Sequence, residues 1–127
     1  MVERTVVSTK KAPGAIGPYS QAIKVGEFVF TSGQLPMDPE SGELINDIKK
    51  ATARSLDSVK AILEEAGSSM ENIIKTTIFV KDLDDFAAVN EVYGTYFGDE
   101  PPARSCVQVA KIPKEAKVEI EAIAKLK

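Results

Sequence analysis

Two runs in the last quarter of the chain alternate with a period of two residues, and that period limits the fold more than any other feature. The first is Ala103-Arg104-Ser105-Cys106-Val107-Gln108-Val109-Ala110 and the second is Lys117-Val118-Glu119-Ile120-Glu121-Ala122-Ile123-Ala124. Both read as half-buried strands. On the first, Ala103, Ser105, Val107 and Val109 share one face, with Arg104, Cys106 and Gln108 opposite. On the second, Val118, Ile120, Ala122 and Ala124 oppose Lys117, Glu119, Glu121 and Ile123. One face suits a core; the other carries an arginine, a thiol, an amide and two carboxylates. The short segment 111–116, interrupted by Pro113, predicts a hairpin that makes the two strands sheet neighbours.

A guanidinium binds a carboxylate through two parallel hydrogen bonds, and a nearby glutamate can hold and polarise a water. Arg104 and Glu119 together therefore suit hydrolysis of a small carboxylic acid. Alternation alone favours a plainer reading, a solvated sheet face with cross-strand ion pairs. In a simple hairpin Cys106 falls opposite Glu121 and Arg104 opposite Ile123, leaving Glu119 roughly 13 Å along the strand from Arg104's partner. A site that uses both groups then needs long side-chain reach, an unusual register, or a Glu119 supplied by a neighbouring subunit, and the last is expected here.

Upstream, residues 5–9 are β-branched and predict a first strand, ended by Pro13-Gly14. The Gly17-Pro18 turn places Tyr19 in irregular backbone, where it is either a ligand wall or a packing anchor. Residues 22–25 and 28–32 make a hairpin about Gly26-Glu27. It runs into Ser32-Gly33-Gln34, where a glycine at a strand end either lets backbone approach a ligand or simply ends the strand. Asn46 or Asp47 caps a helix whose apolar positions run from Ile48 to Ala66 before Gly67 stops it. Residues 73–81 form a strand in the sheet interior. A second helix, capped within Asp82-Leu83-Asp84, carries Phe86, Val89 and Tyr93 on its apolar stripe. Asn90 lies beside that stripe, four residues from Phe86, facing either inward or solvent. The tally is β, ββ, α, β, α, ββ, an α+β sandwich with both helices on one face of a mixed sheet, in a single domain of residues 1–127. The other sheet face, expected to bear Arg104 and Glu119, must meet solvent or another copy of the chain.

Composition narrows the chemistry. With no histidine and one cysteine, Ser-His-Asp, Cys-His, histidine-zinc and disulfide schemes are all excluded. A formal charge of −3 without a basic block predicts no affinity for nucleic acid or anionic membrane. Met1-Val2-Glu3-Arg4 is no apolar leader, and no later run could span a bilayer, which predicts a cytoplasmic protein.

Six motifs in order span nearly the whole chain: Ala15-Ile16-Gly17-Pro18-Tyr19-Ser20-Gln21-Ala22, Thr31-Ser32-Gly33-Gln34, Lys75-Thr76-Thr77-Ile78-Phe79-Val80-Lys81-Asp82-Leu83, Val89-Asn90-Glu91-Val92-Tyr93, Pro102-Ala103-Arg104-Ser105-Cys106-Val107 and Val118-Glu119-Ile120-Glu121-Ala122-Ile123-Ala124. In this order the chain resembles the Rid family of reactive-intermediate (enamine/imine) deaminases, also called the YjgF family. The resemblance implies a chorismate-mutase-like fold, a homotrimer with sites between subunits, no cofactor or metal, and hydrolysis of 2-iminobutanoate and 2-iminopropanoate to 2-keto acids. It also implies roles: Arg104 binds the substrate carboxylate, Glu119 activates the water, and the Cys106 backbone holds the ligand. Tyr19 walls the pocket, Ser32 and Gly33 line it, and Asn90 supports from behind. Two rivals accompany this reading, a carboxylate-binding regulatory module without turnover and an RNA-cleaving or translation-inhibiting protein.

Overall fold

The computed structural model describes residues 3–127. Its elements are β1 (Arg4–Val7), β2 (Ala22–Val25), β3 (Phe28–Thr31), α1 (Ile48–Ala66), β4 (Ile73–Val80), α2 (Phe86–Gly94), β5 (Ala103–Gln108) and β6 (Val118–Lys125). They build one six-stranded mixed sheet in the order β1-β2-β3-β6-β4-β5. The α+β reading with two helices on one side of a mixed sheet is what the chain adopts.

The local signals act as expected. Asp47 caps α1, its carboxylate accepting from the Lys50 N–H at 3.0 Å. Gly67, at φ 90°, ends the helix in a left-handed conformation that returns its N–H to the last turn. Gly26, at φ 57°, makes the tight turn between β2 and β3. The core lies between helices and sheet, where Leu56, Val59, Ile62 and Leu63 of α1 and Val89 of α2 meet Val29, Ile78, Val118 and Ile120. Burying residues of this size contributes about 1.5–3 kcal/mol each.

The expected β5–β6 hairpin is absent. β6 runs antiparallel between β3 and β4, and β5 pairs parallel with β4 on its far side. The segment between β5 and β6 crosses the end of β4 instead of turning back: Val109 N–H donates to Val80 O and Lys81 N–H to Lys117 O, each at 3.0 Å. Two strand spacings are roughly 10 Å, well within the reach of nine residues. α2 supplies the crossover that a parallel β4–β5 pair requires.

Directly paired residues share a sheet face, so the register decides which side each group takes. Arg104 pairs with Thr76, which pairs with Ala122; Cys106 pairs with Ile78, which pairs with Ile120. Thr76, Ala122, Ile78 and Ile120 are all buried under the helices. Arg104 and Cys106 therefore lie on the helix side, contrary to the expectation that Arg104 shares the uncovered face with Glu119. Glu119 pairs with Phe79, which pairs with Val107, on the open side. The alternation in β5 is real, but β5 is an edge strand that α2 covers only partly, so polar groups are tolerated on its inner side and Val107 is left 44% exposed outside.

Candidate active site

A cavity of about 440 Å³ opens where β3 ends and β6 begins. Its walls include Tyr19, Ser32, Gly33 and Glu119, together with Ile16, Leu35, Met37 and Lys114. Four of the residues implicated from sequence thus converge on one concavity. Gly33 packs directly beneath the Glu119 carboxylate. Burial, reinforced by the neighbouring charge of Glu121 two residues along β6, pushes the Glu119 carboxyl above the ordinary glutamate value. A raised carboxyl in a mostly apolar cleft is suited to taking and returning a proton.

Residues 13–21 bring irregular backbone to the cavity wall, and Gln21 holds it in place. Gln21 is 4% exposed. Its Nε2 donates to Pro13 O at 2.8 Å, Thr9 O at 3.1 Å and Ala12 O at 3.4 Å, while its Oε1 accepts from Thr9 N–H at 2.7 Å. Its backbone carbonyl accepts from Ser32 N–H at 2.8 Å, and Ser32 Oγ donates to Ser20 O at 2.7 Å. The Tyr19 hydroxyl accepts from Ile16 N–H at 3.3 Å, which closes the Gly17 turn across the ring. One side-chain amide thereby ties the first loop to the Ser32-Gly33 corner.

Arg104 heads a second constellation under α2. Its Nη1 donates to Asn90 Oδ1 at 2.7 Å, and its guanidinium carbon lies 5.0 Å from the Tyr93 ring centre and 5.4 Å from that of Phe86. Tyr93 is itself fixed, its hydroxyl 2.7 Å from Thr76 Oγ1 in the buried core. Two aromatic faces and one amide oxygen hold the fork in a set orientation and leave its other donors for a ligand. Asn90 faces inward. Cys106 lies two residues along the same strand face; burial raises its thiol pKa by more than Arg104 lowers it, so it is a poor nucleophile.

Tyr19, Ser32, Gly33 and Glu119 therefore form one group, and Arg104, Asn90 and Cys106 another. Within one chain Arg104 and Glu119 are two strand spacings apart, with β4 between them, and offset by three residues of register, and they lie on opposite faces of the sheet. This placement on two faces replaces the hairpin register expected between the two strands. Gln21, Phe86 and Tyr93 went unassigned in the sequence reading. Gln21 had a usable signal, an amide closing a Gly-Pro loop, whereas the stripe positions of Phe86 and Tyr93 read simply as core. No group of three or more His, Cys, Asp or Glu among the described residues converges as a metal site.

The chain is similar over nearly its whole length to known proteins. The family model described as Endoribonuclease L-PSP matches residues 9–126. A RutC family protein of Pyrococcus abyssi is 55% identical over 122 residues, covering 95% of this chain and 96% of that protein. The 2-iminobutanoate/2-iminopropanoate deaminase of Salmonella typhimurium is 51% identical over 121 residues, covering 93% and 94%. Among solved structures, Escherichia coli TdcF with bound serine superposes with a TM-score of 0.93 at 50% identity, over 97% of this chain and 99% of that one. By sequence over nearly its full length and by fold, the chain belongs to the Endoribonuclease L-PSP family, the YjgF/Rid family.

Proposed function

We propose that the chain hydrolyses 2-iminobutanoate and 2-iminopropanoate to the corresponding 2-keto acids and ammonia. The observation that carries the chemistry is a half-buried carboxylate with a raised pKa at the floor of a cavity, on a scaffold half identical to proteins named for that reaction. Glu119 accepts a proton from a water as its oxygen bonds to the imine carbon. Glu119 returns that proton to the nitrogen to give the carbinolamine, then carries the hydroxyl proton to the same nitrogen as the C–N bond breaks, so that ammonia leaves and the carbonyl forms. An imine is already electrophilic, so orientation and one proton shuttle suffice, and no histidine is needed. Tyr19, Ser32 and Gly33 shape the cavity, and Arg104, held by Asn90 beside Cys106, binds the substrate carboxylate.

Because the two groups lie on opposite faces, the complete site forms between copies: the Arg104 edge of one chain meets the Glu119 cavity of the next. A head-to-tail contact closes into a ring when its rotation is a whole fraction of a turn, and we assign a chorismate-mutase-like trimer. The open face supports this assembly. Val6, Ile23, Phe30 and Ile123 form one row across four paired strands, with Val6 59% and Phe30 43% exposed in the single chain. Among the described residues no helix is long and apolar enough to cross a membrane, and we place the protein in the cytoplasm.

The test couples a threonine dehydratase to the protein and follows keto-acid release. Wild type should outpace spontaneous hydrolysis, Arg104→Ala and Glu119→Gln should each fail, and chains of the two variants refolded together should recover part of the activity. No acceleration by wild type overturns the deaminase reading, and no recovery on mixing overturns the shared site. Keto-acid affinity lost in Arg104→Ala but kept in Glu119→Gln, with no acceleration by wild type, would instead mark a binding module.

A further inference from the structure

The loop that carries the chain over the end of β4 has an unusual backbone at its tip. Lys114 (φ 60°, ψ 22°) and Glu115 (φ 59°) are successive non-glycine residues in the left-handed region. Glu115 is turned outward, its carboxylate 3.5 Å from Lys81 Nζ, while the Lys81 N–H is tied to Lys117 O. The pair is exposed and adds little stability; it shows only that the Glu115 side chain is directed toward β4. Lys114 lies on the wall of the Glu119 cavity, and among the described residues it is the one cation there and has no ion-pair partner. The strained conformation places a positive charge at the mouth of a cleft whose other charged lining residue is an acid.

The deaminase reading gives that charge a task. A 2-imino acid is an anion, the chain carries a formal charge of −3, and Glu119 repels the carboxylate it must be brought near. The substrate also hydrolyses unaided, so the enzyme matters only if capture is fast. We propose that Lys114 is the capture and specificity residue of the cavity: it draws the substrate carboxylate to the mouth and favours anionic imines over neutral ones, while Arg104 grips the carboxylate once it is seated. Local positive potential at a cleft raises association rate, and salt screens it.

The proposal rests on the deaminase reading, and the experiment separates the two. Lys114→Met, Lys117→Met and wild type are compared with dehydratase-generated 2-iminobutanoate at about 20 mM and about 0.5 M salt. Binding of 2-oxobutanoate and of its neutral amide is measured in parallel by calorimetry. At low salt Lys114→Met should lower kcat/KM by about 3- to 10-fold with kcat unchanged, and the gap should close at high salt. Lys117→Met, which removes the same charge from outside the cavity, should change kcat/KM less than about 2-fold. Lys114→Met should weaken the keto acid and leave the amide unaffected. Equal losses in both variants, a salt-independent loss, or equal weakening of acid and amide each overturn the assignment. A wild type that does not accelerate hydrolysis overturns the deaminase reading instead, and the calorimetry still reports on Lys114.

Discussion

A Cβ on Gly33 would lie 2.8 Å from Cδ and 3.0 Å from Cγ of Glu119, closer than side chains pack. The glycine is therefore the surface against which the carboxylate rests, and any side chain there moves the acid. Gly33→Ala should fold normally, because the methyl meets the end of a flexible side chain, yet lose about 100-fold in kcat, since a displacement near 1 Å costs that much. Turnover paired with a thermal melt checks it; an active Gly33→Ala enzyme would mean that the Glu119 position is not critical.

The raised pKa of Glu119 predicts the acid side of the pH profile. Turnover needs the ionised form, so activity should fall on acidification at a pH above the ordinary glutamate value. Glu121→Gln removes the neighbouring charge that raises it, and should move this limb to lower pH without abolishing activity. Stability runs the other way. A carboxyl raised by folding contributes most below its unfolded pKa and loses that contribution as pH rises through the folded value, so Glu119→Gln should be more stable than wild type at neutral pH, with the gain vanishing below about pH 4. Urea midpoints across pH 4–8 test the sign.

Asn90→Ala should act on binding. Removing the acceptor for Arg104 Nη1 leaves the guanidinium held by the two rings alone, and a hydrogen bond to a charged group is worth about 1.5–3 kcal/mol. KM, or the dissociation constant for 2-oxobutanoate, should rise about 10- to 100-fold while kcat changes less. Tyr93→Phe is the contrasting case: the ring under Arg104 remains, but Thr76 Oγ1 loses its partner in the core. It should cost about 1–3 kcal/mol of stability with little change in KM.

Gln21→Leu should do both. Four hydrogen bonds to the 9–13 backbone disappear and leave partly buried carbonyls without donors, a loss of about 2–4 kcal/mol. The freed loop carries Ile16 and Tyr19 off the cavity wall, so KM should rise even at temperatures where the variant is fully folded.

Phe30→Lys probes the assembly. Phe30 is 43% exposed in the single chain, so the substitution should spare the chain's own fold while placing a charge in the middle of the uncovered apolar row. Sedimentation should give monomers, and hydrolysis should fall to the spontaneous rate although every site residue is intact. An active monomer would contradict a site shared between copies.

The sequence was legible where local chemistry decides structure and silent where pairing does. Asp47 and Gly67 bracket α1 and Gly26 turns the β2–β3 hairpin, because caps and turns depend on a few adjacent residues. Period-two alternation likewise placed β5 and β6, but alternation is unchanged when the two faces are exchanged. Only the pairing of Arg104 with Thr76, a partner 28 residues away, puts the guanidinium under α2. A short connection suggested a hairpin, yet the same length spans two strands once hydrogen bonds to Val80 and Lys81 stitch it over the end of β4. Tyr93 and Phe86 share the helical stripe with Val89, and nothing in the period distinguishes a residue that fills the core from one that also seats a cation.

The crossover from β4 through α2 to β5 has a consequence for how such a protein can be altered. Thr76, Phe86, Asn90, Tyr93 and Arg104 all come from one uninterrupted stretch, whereas the walls around Glu119 are drawn from residues 13–37 and 113–119. The anion anchor is thus a transplantable cassette. Exchanging the 76–104 segment between relatives should transfer the preference for one acidic group over another, while the machinery that splits the C–N bond stays with the recipient.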